Sequence, residues 1–248
     1  MRVEEINPYN QDTEKGRQVE QMFDSIARNY DLMNSAMSLG QHKRWRNKAL
    51  KAALAEIPER EESKFLDVAT GTGDVAFRLH ELRPATLITG IDLSDGMLDI
   101  ARKKLSELPL KSQSLIAFGK GDSLAMPFHD EEFDLITVAY GVRNFSDLKK
   151  GLTEMRRVLK RGGVLCIIEL STPTNVVTRT AYKLYAGKFI PWLGKRVSKD
   201  NRAYSYLPES ISACPQRADM EALLHATGFS HTEWKSLSFG ALTYYIAK

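Results

Sequence analysis

A hydrophobic run that stops at a glycine-rich turn constrains the fold of this chain more than any other feature. Residues 65–69 are apolar apart from Asp67, the turn Thr70-Gly71-Thr72-Gly73 follows, and a helical pattern begins at Asp74. A strand that ends in this way leaves bare backbone at its carboxyl edge, where a ligand can approach a glycine closely because glycine has no Cβ. The next helix points its N–H groups and the positive end of its dipole at the same place. The pattern therefore predicts a strand, a ligand-binding turn and a helix.

An acidic residue follows this turn at an informative distance. A second apolar run, residues 86–91, ends at Asp92, nineteen residues after Gly73. A carboxylate at that spacing can accept hydrogen bonds from both hydroxyls of a ribose. Gly71-x-Gly73-x-x-Ala76 also fits the dinucleotide fingerprint, although a tight strand-to-helix turn in any α/β protein gives the same spacing. We therefore expect a nucleoside-containing cofactor, and these residues alone leave NAD open.

Strand-like and helical patterns alternate along the rest of the chain. Such alternation predicts a mostly parallel sheet with helices on both faces, a Rossmann-like α/β fold. A last helix near 216–227 precedes two further strand-like runs, which predict an antiparallel hairpin at the end of a seven-stranded sheet. The predicted strands are 64–69, 86–91, 114–118, 133–139, 164–170, 229–237 and 241–247, and the helices between them are 74–83, 95–107 and 147–160, the last closed by Gly162-Gly163.

Before the first strand, apolar residues repeat at helical spacing. Residues 18–30 and about 42–55 carry this pattern, and Pro58 lies just beyond the second run. We expect residues 1–62 to form a helical extension that acts as a lid. Residues 63–248 are then the main domain, with a substrate-capping insertion at about 175–210. A chain of 248 residues with 43% hydrophobic content can form one such domain with a full core.

Composition bears on location and partners. The net charge of +4 does not by itself argue for nucleic acid. Cys166 and Cys214 lie far apart without a metal or CxxC pattern, and we expect Cys166 to be a buried, reduced thiol, which favours the cytoplasm. Residues 1–11 lack the apolar core of a signal peptide, and no stretch approaches about 20 uninterrupted apolar residues. Five scattered histidines predict no metal site.

Two later motifs narrow the choice of cofactor. Gly121-Asp122-Ser123 lies just past the third predicted strand, where a carboxylate can accept from the exocyclic amine of adenine; a plain polar loop with an apolar plug is the alternative. Residues 133–138 predict a buried fourth strand that opens into the polar loop Tyr140-Gly141-Val142-Arg143-Asn144. The order of glycine loop, ribose acid, adenine acid and fourth-strand loop resembles that of class I S-adenosylmethionine-dependent methyltransferases.

A closer resemblance rests on four stretches. They are Phe23-x-x-Ile26-Ala27-x-x-Tyr30-Asp31-x-Met33-Asn34 with Ser38-x-Gly40-x-His42-x-x-Trp45, Asp67-Val68-Ala69-Thr70-Gly71-Thr72-Gly73-Asp74, Tyr140-Gly141-Val142-Arg143-Asn144, and Tyr204-x-Tyr206-Leu207-x-Glu209-Ser210-Ile211. In this order they resemble the signature of the ubiquinone/menaquinone biosynthesis C-methyltransferases, from about residue 18 to the end of the chain. The resemblance implies that S-adenosylmethionine donates a methyl group to a ring carbon of a polyprenylated quinol.

The resemblance also implies an acceptor. We expect demethylmenaquinol, converted to menaquinol, because this naphthoquinol is the acceptor shared most widely in the family, which is an analogy. The alternatives are a polyprenyl methoxybenzoquinol of ubiquinone biosynthesis, another lipid or small molecule, an NAD-binding dehydrogenase, and a non-catalytic adenosine-binding scaffold. RNA is a competing partner that the sequence does not favour, since the loop after the fourth strand lacks an Asn/Asp-Pro-Pro-Tyr-type segment.

Individual residues acquire expected roles from the resemblance. The family has a serine just before the aromatic-Gly-x-Arg-Asn motif, and Ala139 at this position can offer only its backbone. The cofactor site would comprise Asp67, Gly71, Thr72, Gly73, Asp92, Asp122, Ser123 and Ala139. The candidates for binding the substrate are Tyr30, Asn34, His42, Tyr140, Asn144, Tyr204 and Tyr206, with Asp31 as a further lid residue. The alternatives are ordinary core packing for Tyr30, an exposed or helix-start position for His42, and hydroxyls bonded to backbone for Tyr204 and Tyr206.

Arg143 is the candidate catalytic residue. It follows the fourth strand, where the substrate should meet the methyl group, and a permanently charged guanidinium can stabilise a developing phenolate. The alternative is an arginine that ties its loop to a carboxylate.

Between residues 175 and 202, basic side chains alternate with aromatic and aliphatic ones, and only Asp200 opposes the charge. Basic residues beside Trp and Tyr suit an anionic membrane surface. We expect this segment to cap the substrate pocket and to make peripheral contact with the membrane, while a basic face over an apolar homodimer contact is the alternative.

Overall fold

The computed structural model describes residues 2–9, 12–60, 63–184 and 201–248. The strands are β1 (Lys64–Val68), β2 (Leu87–Asp92), β3 (Ile116–Lys120), β4 (Phe133–Ala139), β5 (Leu159–Leu170), β6 (Thr232–Leu237) and β7 (Leu242–Ala247). They form one seven-stranded sheet in the order β3-β2-β1-β4-β5-β7-β6. The first five strands are parallel, and β7 pairs antiparallel with both β5 and β6. The predicted Rossmann-like α/β fold with a C-terminal antiparallel hairpin is confirmed.

The described helices flank this sheet. They are α1 (Lys15–Ile26), α2 (Tyr30–Ser38), α3 (Gln41–Ala55), α4 (Asp74–Leu82), α5 (Asp95–Ser106), α6 (Leu110–Gln113), α7 (Leu148–Val158), α8 (Val176–Leu184), α9 (Asn201–Ala213) and α10 (Ala218–Ala226). The prediction of a continuous helix over residues 18–30 is wrong. A 3₁₀ turn over Ala27–Asn29 separates α1 from α2, so the chain changes direction before Tyr30.

Alternate residues of the central strands face opposite sides of the sheet, and each side has its own apolar core. Leu66 and Ile136 pack on one side together with residues of α7 and α10. Phe65 and Leu135 pack on the other side together with residues of α3 and α4. A parallel sheet that is covered on both faces needs strands that are apolar throughout, which is the pattern of these sequences.

The start of β5 differs from the prediction. The strand begins at Leu159 instead of residue 164, and the helix before it ends at Val158. Pairing with β4 shifts between Phe133–Leu159 and Leu135–Val164, and Gly162 at the irregularity has a φ of +73°. Gly162 therefore serves a bulge within the strand, where a left-handed conformation favours glycine, and does not close the helix.

The helices before the sheet have two different positions. Ala49, Leu50 and Ala53 of α3 are fully buried in the core against the sheet, and the Cys166 thiol lies 3.9 Å from the carbonyl oxygen of Ala49. This confirms Cys166 as a buried free thiol and makes α3 part of the layer that covers the sheet. By contrast, Asp24 of α1 accepts hydrogen bonds from Ser94 Oγ and the Gly96 N–H, where β2 leads into α5. The expectation that residues 1–62 act as a lid stays a prediction.

The strand order reverses between β1 and β4. From β1 the chain proceeds to β2 and β3 on one side, and from β4 it proceeds to β5 on the other. The loops after β1 and β4 leave in opposite directions and open a crevice at the carboxyl edge, where open α/β sheets bind ligands. The two loops meet closely, since a Cβ added to Gly141 would lie 2.8 Å from the Cβ of Ala69.

Substituting alanine for Gly73 should destabilise the fold. Gly73 precedes α4 with a φ of +81°, and an added Cβ would lie 2.8 Å from the rings of Phe77 and Phe118. We expect Gly73→Ala to lower the free energy of unfolding by about 2–4 kcal/mol, because strain and overpacking act together. Gly16→Ala is the matched control, since nothing lies within 4 Å of its Cβ position in α1. Urea titrations of both variants check the difference, and equal stabilities would contradict it.

Candidate active site

Two cavities adjoin at the carboxyl edge of the sheet. The smaller has a volume of about 200 Å³ and lies over the ends of β1, β2 and β4. The larger has a volume of about 410 Å³ and lies beside the ends of β4 and β5. Phe23, Tyr30 and Tyr140 line both cavities, so the two cavities share an aromatic boundary. The smaller cavity is also lined by five of the predicted cofactor-binding residues, Gly71, Asp92, Asp122, Ser123 and Ala139.

The glycine turn presents its backbone to the smaller cavity. Gly71 has a φ of +57°, and nothing lies within 4 Å of the position that a Cβ would take. Beneath the turn, Asp67 is buried and accepts hydrogen bonds from Thr70 Oγ1 at 2.6 Å and from Thr137 Oγ1 at 2.7 Å. Asp67 does not line either cavity. Its carboxyl group joins the turn after β1 to β4 and shapes the cofactor site from below.

Asp92 reaches the cavity from the end of β2. Its Oδ2 accepts from the Gly71 N–H at 2.8 Å and its Oδ1 from the Ser94 N–H at 2.9 Å. Burial raises the pKa of Asp92, and these two N–H groups oppose the rise. A carboxylate has about four acceptor sites, so Asp92 can still accept from ligand hydroxyls.

The second acid of the cavity stands in the loop after β3. Asp122 Oδ1 accepts from the Leu124 N–H at 2.9 Å, and the neighbouring Ser123 is buried. Apolar walls come from Leu93 and Met97. The smaller cavity thus fits an adenosine cofactor such as S-adenosylmethionine. It offers carboxylates at two strand ends, apolar walls between them and bare backbone at Gly71.

Thr72 faces the lid. Its Oγ1 donates to Asp31 Oδ1 at 2.7 Å, and Lys104 Nζ donates to Asp31 Oδ2 at 2.7 Å. Lys104 also bonds to Asp74 at 3.0 Å, and Arg46 bonds to Asp74 at 2.9 Å. Thr72 and Gly73 are both absent from the lining of the described cavities. The polar cluster thus fastens α2 to the glycine turn, and the predicted direct contact between Thr72 and the cofactor stays a prediction.

The larger cavity is mainly apolar, with a few polar groups. Its polar lining includes Arg143, His42, Asn34 and Tyr206. The apolar lining comprises Met22, Phe23, Ile26, Met33, Met37, Leu39, Trp45, Leu170, Leu207, Ile211 and Ala241. An apolar chamber with a few convergent polar groups suits a large apolar ligand that carries a polar head.

Arg143 is buried against a carboxylate. Its Nη1 lies 2.8 Å from Glu169 Oε1, both side chains are less than a tenth exposed, and Nη1 also donates to the Tyr140 carbonyl. The alternative interpretation, in which the arginine ties its loop to a carboxylate, therefore describes one of the contacts that Arg143 makes. The side chain also lines the larger cavity, and Nε has no hydrogen-bond partner among the described residues. Burial opposes the charge, yet Glu169 outweighs it and raises the pKa of Arg143.

Tyr140 stands where the two cavities meet. Its backbone has a φ of +58°, an uncommon conformation outside glycine, and its hydroxyl is buried with no hydrogen-bond partner in the described part of the chain. The Asn144 amide donates to the Tyr140 carbonyl at 3.2 Å, and Tyr206 Oη donates to Asn144 Oδ1 at 3.1 Å. Hydrogen bonds thus link the Tyr140 carbonyl, the Asn144 side chain and the Tyr206 hydroxyl, and the backbone-bonded alternative for Tyr206 is wrong.

Three further candidates lie on the helices around the larger cavity. His42 is the second residue of α3, as the helix-start alternative has it, but it is buried instead of exposed, and its Nδ1 lies 2.7 Å from Ser38 Oγ. Burial, helped by Arg46, lowers the pKa of His42. Tyr30 lines both cavities beside Asn34, and burial raises its pKa. The side chain of Tyr204 lies outside the described residues, as does most of the basic segment at 175–202.

Several site residues escaped the sequence analysis. Glu169 was visible as an isolated acid in an apolar strand pattern, and a buried acid in such a place needs a charged partner. Lys15 gave no such signal, yet its buried Nζ donates to the Val3 carbonyl at 2.6 Å and to the Arg143 carbonyl at 3.3 Å. The apolar residues of α1 and α2 look like ordinary core residues in the sequence and line the larger cavity only because these helices lie across the carboxyl edge.

Solved structures of other proteins share this architecture. An S-adenosylmethionine-dependent methyltransferase of Thermotoga maritima superposes with a TM-score of 0.63 at 17% identity, covering 92% of this chain and 98% of that one. Haemonchus contortus phosphoethanolamine N-methyltransferase 2, solved with S-adenosyl-L-methionine, gives 0.56 at 17% identity over 81% of this chain and 52% of the other. The fold is that of the class I S-adenosylmethionine-dependent methyltransferases.

Sequence comparison identifies the family. The model of the ubiE/COQ5 methyltransferase family matches residues 10–248, and the chain belongs to this family. Demethylmenaquinone methyltransferases of Bacteroides fragilis and Porphyromonas gingivalis are 46% and 41% identical, each over 98% of this chain and 97% of the relative. A ubiquinone/menaquinone biosynthesis C-methyltransferase UbiE of Geobacter sulfurreducens is 38% identical over 94% of this chain and 89% of its own length. The expected family is confirmed, and with it S-adenosylmethionine as the cofactor.

The buried carboxyl of Asp67 should make stability depend on pH. Burial raises its pKa to about 7, from about 4 in an unfolded chain. Folding therefore favours the protonated form, and its contribution is complete below about pH 4 and lost as the pH rises through about 7. The free energy of unfolding of the natural chain, minus that of Asp67→Asn, should fall by a few kcal/mol across this range. Urea titrations from about pH 4 to 8 measure the difference, and a constant difference would exclude this titration.

Proposed function

We propose that this protein catalyses the S-adenosylmethionine-dependent C-methylation of demethylmenaquinol to menaquinol. The observation that carries the proposal is the pairing of a polar cavity at the glycine turn with a larger apolar cavity behind Phe23, Tyr30 and Tyr140. An acceptor with a polar ring and a polyprenyl tail matches the larger cavity. The relatives with 40–46% identity that carry the name demethylmenaquinone methyltransferase support the naphthoquinol ring.

Bound S-adenosylmethionine supplies a methyl group that is already activated by a sulfonium. The remaining task of the protein is to align an acceptor carbon with that group and to exclude water, which together account for about 7–11 kcal/mol at best. Asp92 and Asp122 fix the nucleoside end of the smaller cavity. Residues of α1 and α2, among them Val19 and Phe23, cover this cavity from the opposite side.

A quinol carbon is nucleophilic when the neighbouring oxygen carries negative charge. Arg143 lines the acceptor cavity and stays charged beside Glu169, so in this proposal its guanidinium stabilises that oxygen. The ring proton must leave after methyl transfer. His42 lines the same cavity, and its lowered pKa leaves the imidazole neutral and able to accept a proton near pH 7.

The location and assembly follow from the acceptor. A polyprenylated substrate resides in a membrane, so the enzyme works in the cytoplasm with peripheral contact at the inner face of the cytoplasmic membrane. Among the described residues, no helix has the length and apolar character to span a bilayer. A homodimer formed through an apolar contact at residues 175–202 is the alternative to membrane contact by this segment.

Turnover of two short-chain acceptors tests the proposed function. We expect methylation of a short-chain demethylmenaquinol with a kcat/KM at least about tenfold above that of a methoxybenzoquinol, a factor of ten being about 1.4 kcal/mol. Mass spectrometry of the quinones provides the measurement, and calorimetry should show binding of S-adenosylhomocysteine but not of NAD. Asp92→Asn should lose cofactor binding, while Asp99→Asn, an exposed acid of α5, should keep it.

If the protein methylates the methoxybenzoquinol faster than the demethylmenaquinol, the benzoquinol is the acceptor and the proposed naphthoquinol is wrong. Binding of S-adenosylhomocysteine without turnover of either quinol would favour the scaffold alternative. The [4+2]-cyclase SpnF shares the fold with a TM-score of 0.58 at 17% identity, so the fold alone does not guarantee methyl transfer.

Replacing Arg143 by lysine isolates its role in the reaction. Arg143→Lys keeps a charge beside Glu169 but loses the planar fork. We expect kcat to fall by about 10–100-fold, because an ammonium that pairs with Glu169 lacks the fork with which a guanidinium can also donate to the developing phenolate. The affinity for S-adenosylhomocysteine should change by less than about threefold. Arg102→Lys, in an exposed pair with Asp99, is the control. An unchanged kcat in Arg143→Lys would remove the guanidinium from the mechanism.

A further inference from the structure

Exposed apolar side chains surround the mouth of the larger cavity. Leu39, Val176, Val177 and Phe239 are 82%, 66%, 77% and 84% exposed, and they come from the α2–α3 turn, the start of α8 and the β6–β7 turn. Isolated exposed apolar residues are ordinary, but a group of them around one apolar opening marks an interaction surface. We call these four residues the apolar rim.

Contacts place the α2–α3 turn and the β6–β7 turn at the same opening. Leu39 lines the cavity, and so does Trp45, whose Nε1 donates to Ser238 Oγ at 2.8 Å. Ser238 immediately precedes Phe239, and Ala241 on its other side lines the cavity. The exposed side chains of Leu39 and Phe239 therefore flank one entrance.

The start of α8 lies against the same turn. A Cβ added to Gly240 would lie 3.3 Å from the Cα of Pro173. Ser171 Oγ donates to the Gly240 carbonyl at 2.8 Å, and Leu170 lines the cavity. Val176 and Val177 follow Pro173 at the start of α8, between Leu170 and Tyr182, both of which line the cavity.

The backbone conformation of the rim does not explain why its residues are apolar. Leu39 and Phe239 have φ values of 49° and 58°. This left-handed region favours glycine or asparagine and penalises larger side chains. Two large apolar residues therefore occupy positions that local backbone preference would give to a polar residue, and both are exposed to water.

The charge around the rim favours an anionic partner. Residues 32–55 and 170–184 contain no Asp or Glu. Lys43 and Arg44 are exposed just after Leu39, and Arg179 is exposed just after Val177. Lysine and arginine beside inserted apolar residues are the combination that holds a protein at an anionic bilayer surface.

We propose that the apolar rim inserts into an anionic lipid bilayer, so that the larger cavity opens directly onto lipid and receives its acceptor from there. The inference rests on the proposed function for the nature of that acceptor, but binding of the protein to vesicles needs no acceptor. The apolar rim is thus a second surface that contacts the membrane, besides the basic segment at residues 175–202 that the sequence suggested.

Flotation with vesicles tests the rim. Vesicles of phosphatidylglycerol and phosphatidylcholine at low salt should carry the natural protein to the top of a density gradient. Phe239→Asn keeps a residue that accepts a positive φ, and Val177→Ser keeps a small side chain; each should weaken partitioning about tenfold and the pair about a hundredfold. Leu110→Asn is the matched control, because Leu110 is 82% exposed on α6 at the amino edge of the sheet.

Turnover of a water-soluble short-chain quinol by Phe239→Asn should stay within about twofold of the natural protein, since Phe239 does not line either cavity. Failure of the natural protein to float, or flotation of the double variant like the natural protein, would overturn the proposal. A dimer that Phe239→Asn converts to a monomer would also overturn it, because the rim would then bind a second copy. If the natural protein does not methylate the quinol at all, the proposed function is contradicted, but a result that it binds vesicles still stands.

Discussion

The hydrogen bonds that Asp67 accepts from Thr70 and Thr137 are the constraint on which the site depends. They join the last residues of β1 to the glycine turn and to β4 at the point where the strand order reverses. With the turn held in this way, the Gly71 N–H meets Asp92 and the cavity side of Gly71 stays open. A buried carboxyl is costly unless it is hydrogen-bonded, so these bonds are the condition for placing an acid there at all.

Polar contacts tie α1 and α2 to the segments that follow β1 and β2. Asp31 of α2 accepts from Thr72 and Lys104, and Asp24 of α1 accepts from Ser94 and from the Gly96 N–H. Gly71 of the first segment and Ser94 of the second line the smaller cavity. The position of α1 and α2 beside the larger cavity therefore depends on the same segments that border the smaller one.

The sequence predicted the sheet well and singled out Gly71 and Asp92, which line one cavity, because strand periodicity and these two residues are local signals with a direct physical meaning. It did not reveal that Thr72 turns away to Asp31 or that Glu169 neutralises Arg143, since both depend on residues 41 and 26 positions away. The acceptor cavity was hidden for a similar reason. Met33 and Ile26 show an ordinary helical pattern, and only the turn at Ala27–Asn29 directs them over the edge of the sheet.

Phe23, Tyr30 and Tyr140 form an aromatic boundary that the two cavities share. A nucleophile that approaches the donor from the acceptor side has to cross a chamber lined mainly by apolar side chains. Water and charged amines dissolve poorly in such a chamber. The cavity thus selects acceptors first by their free energy of transfer from water into an apolar environment, and only then by their shape.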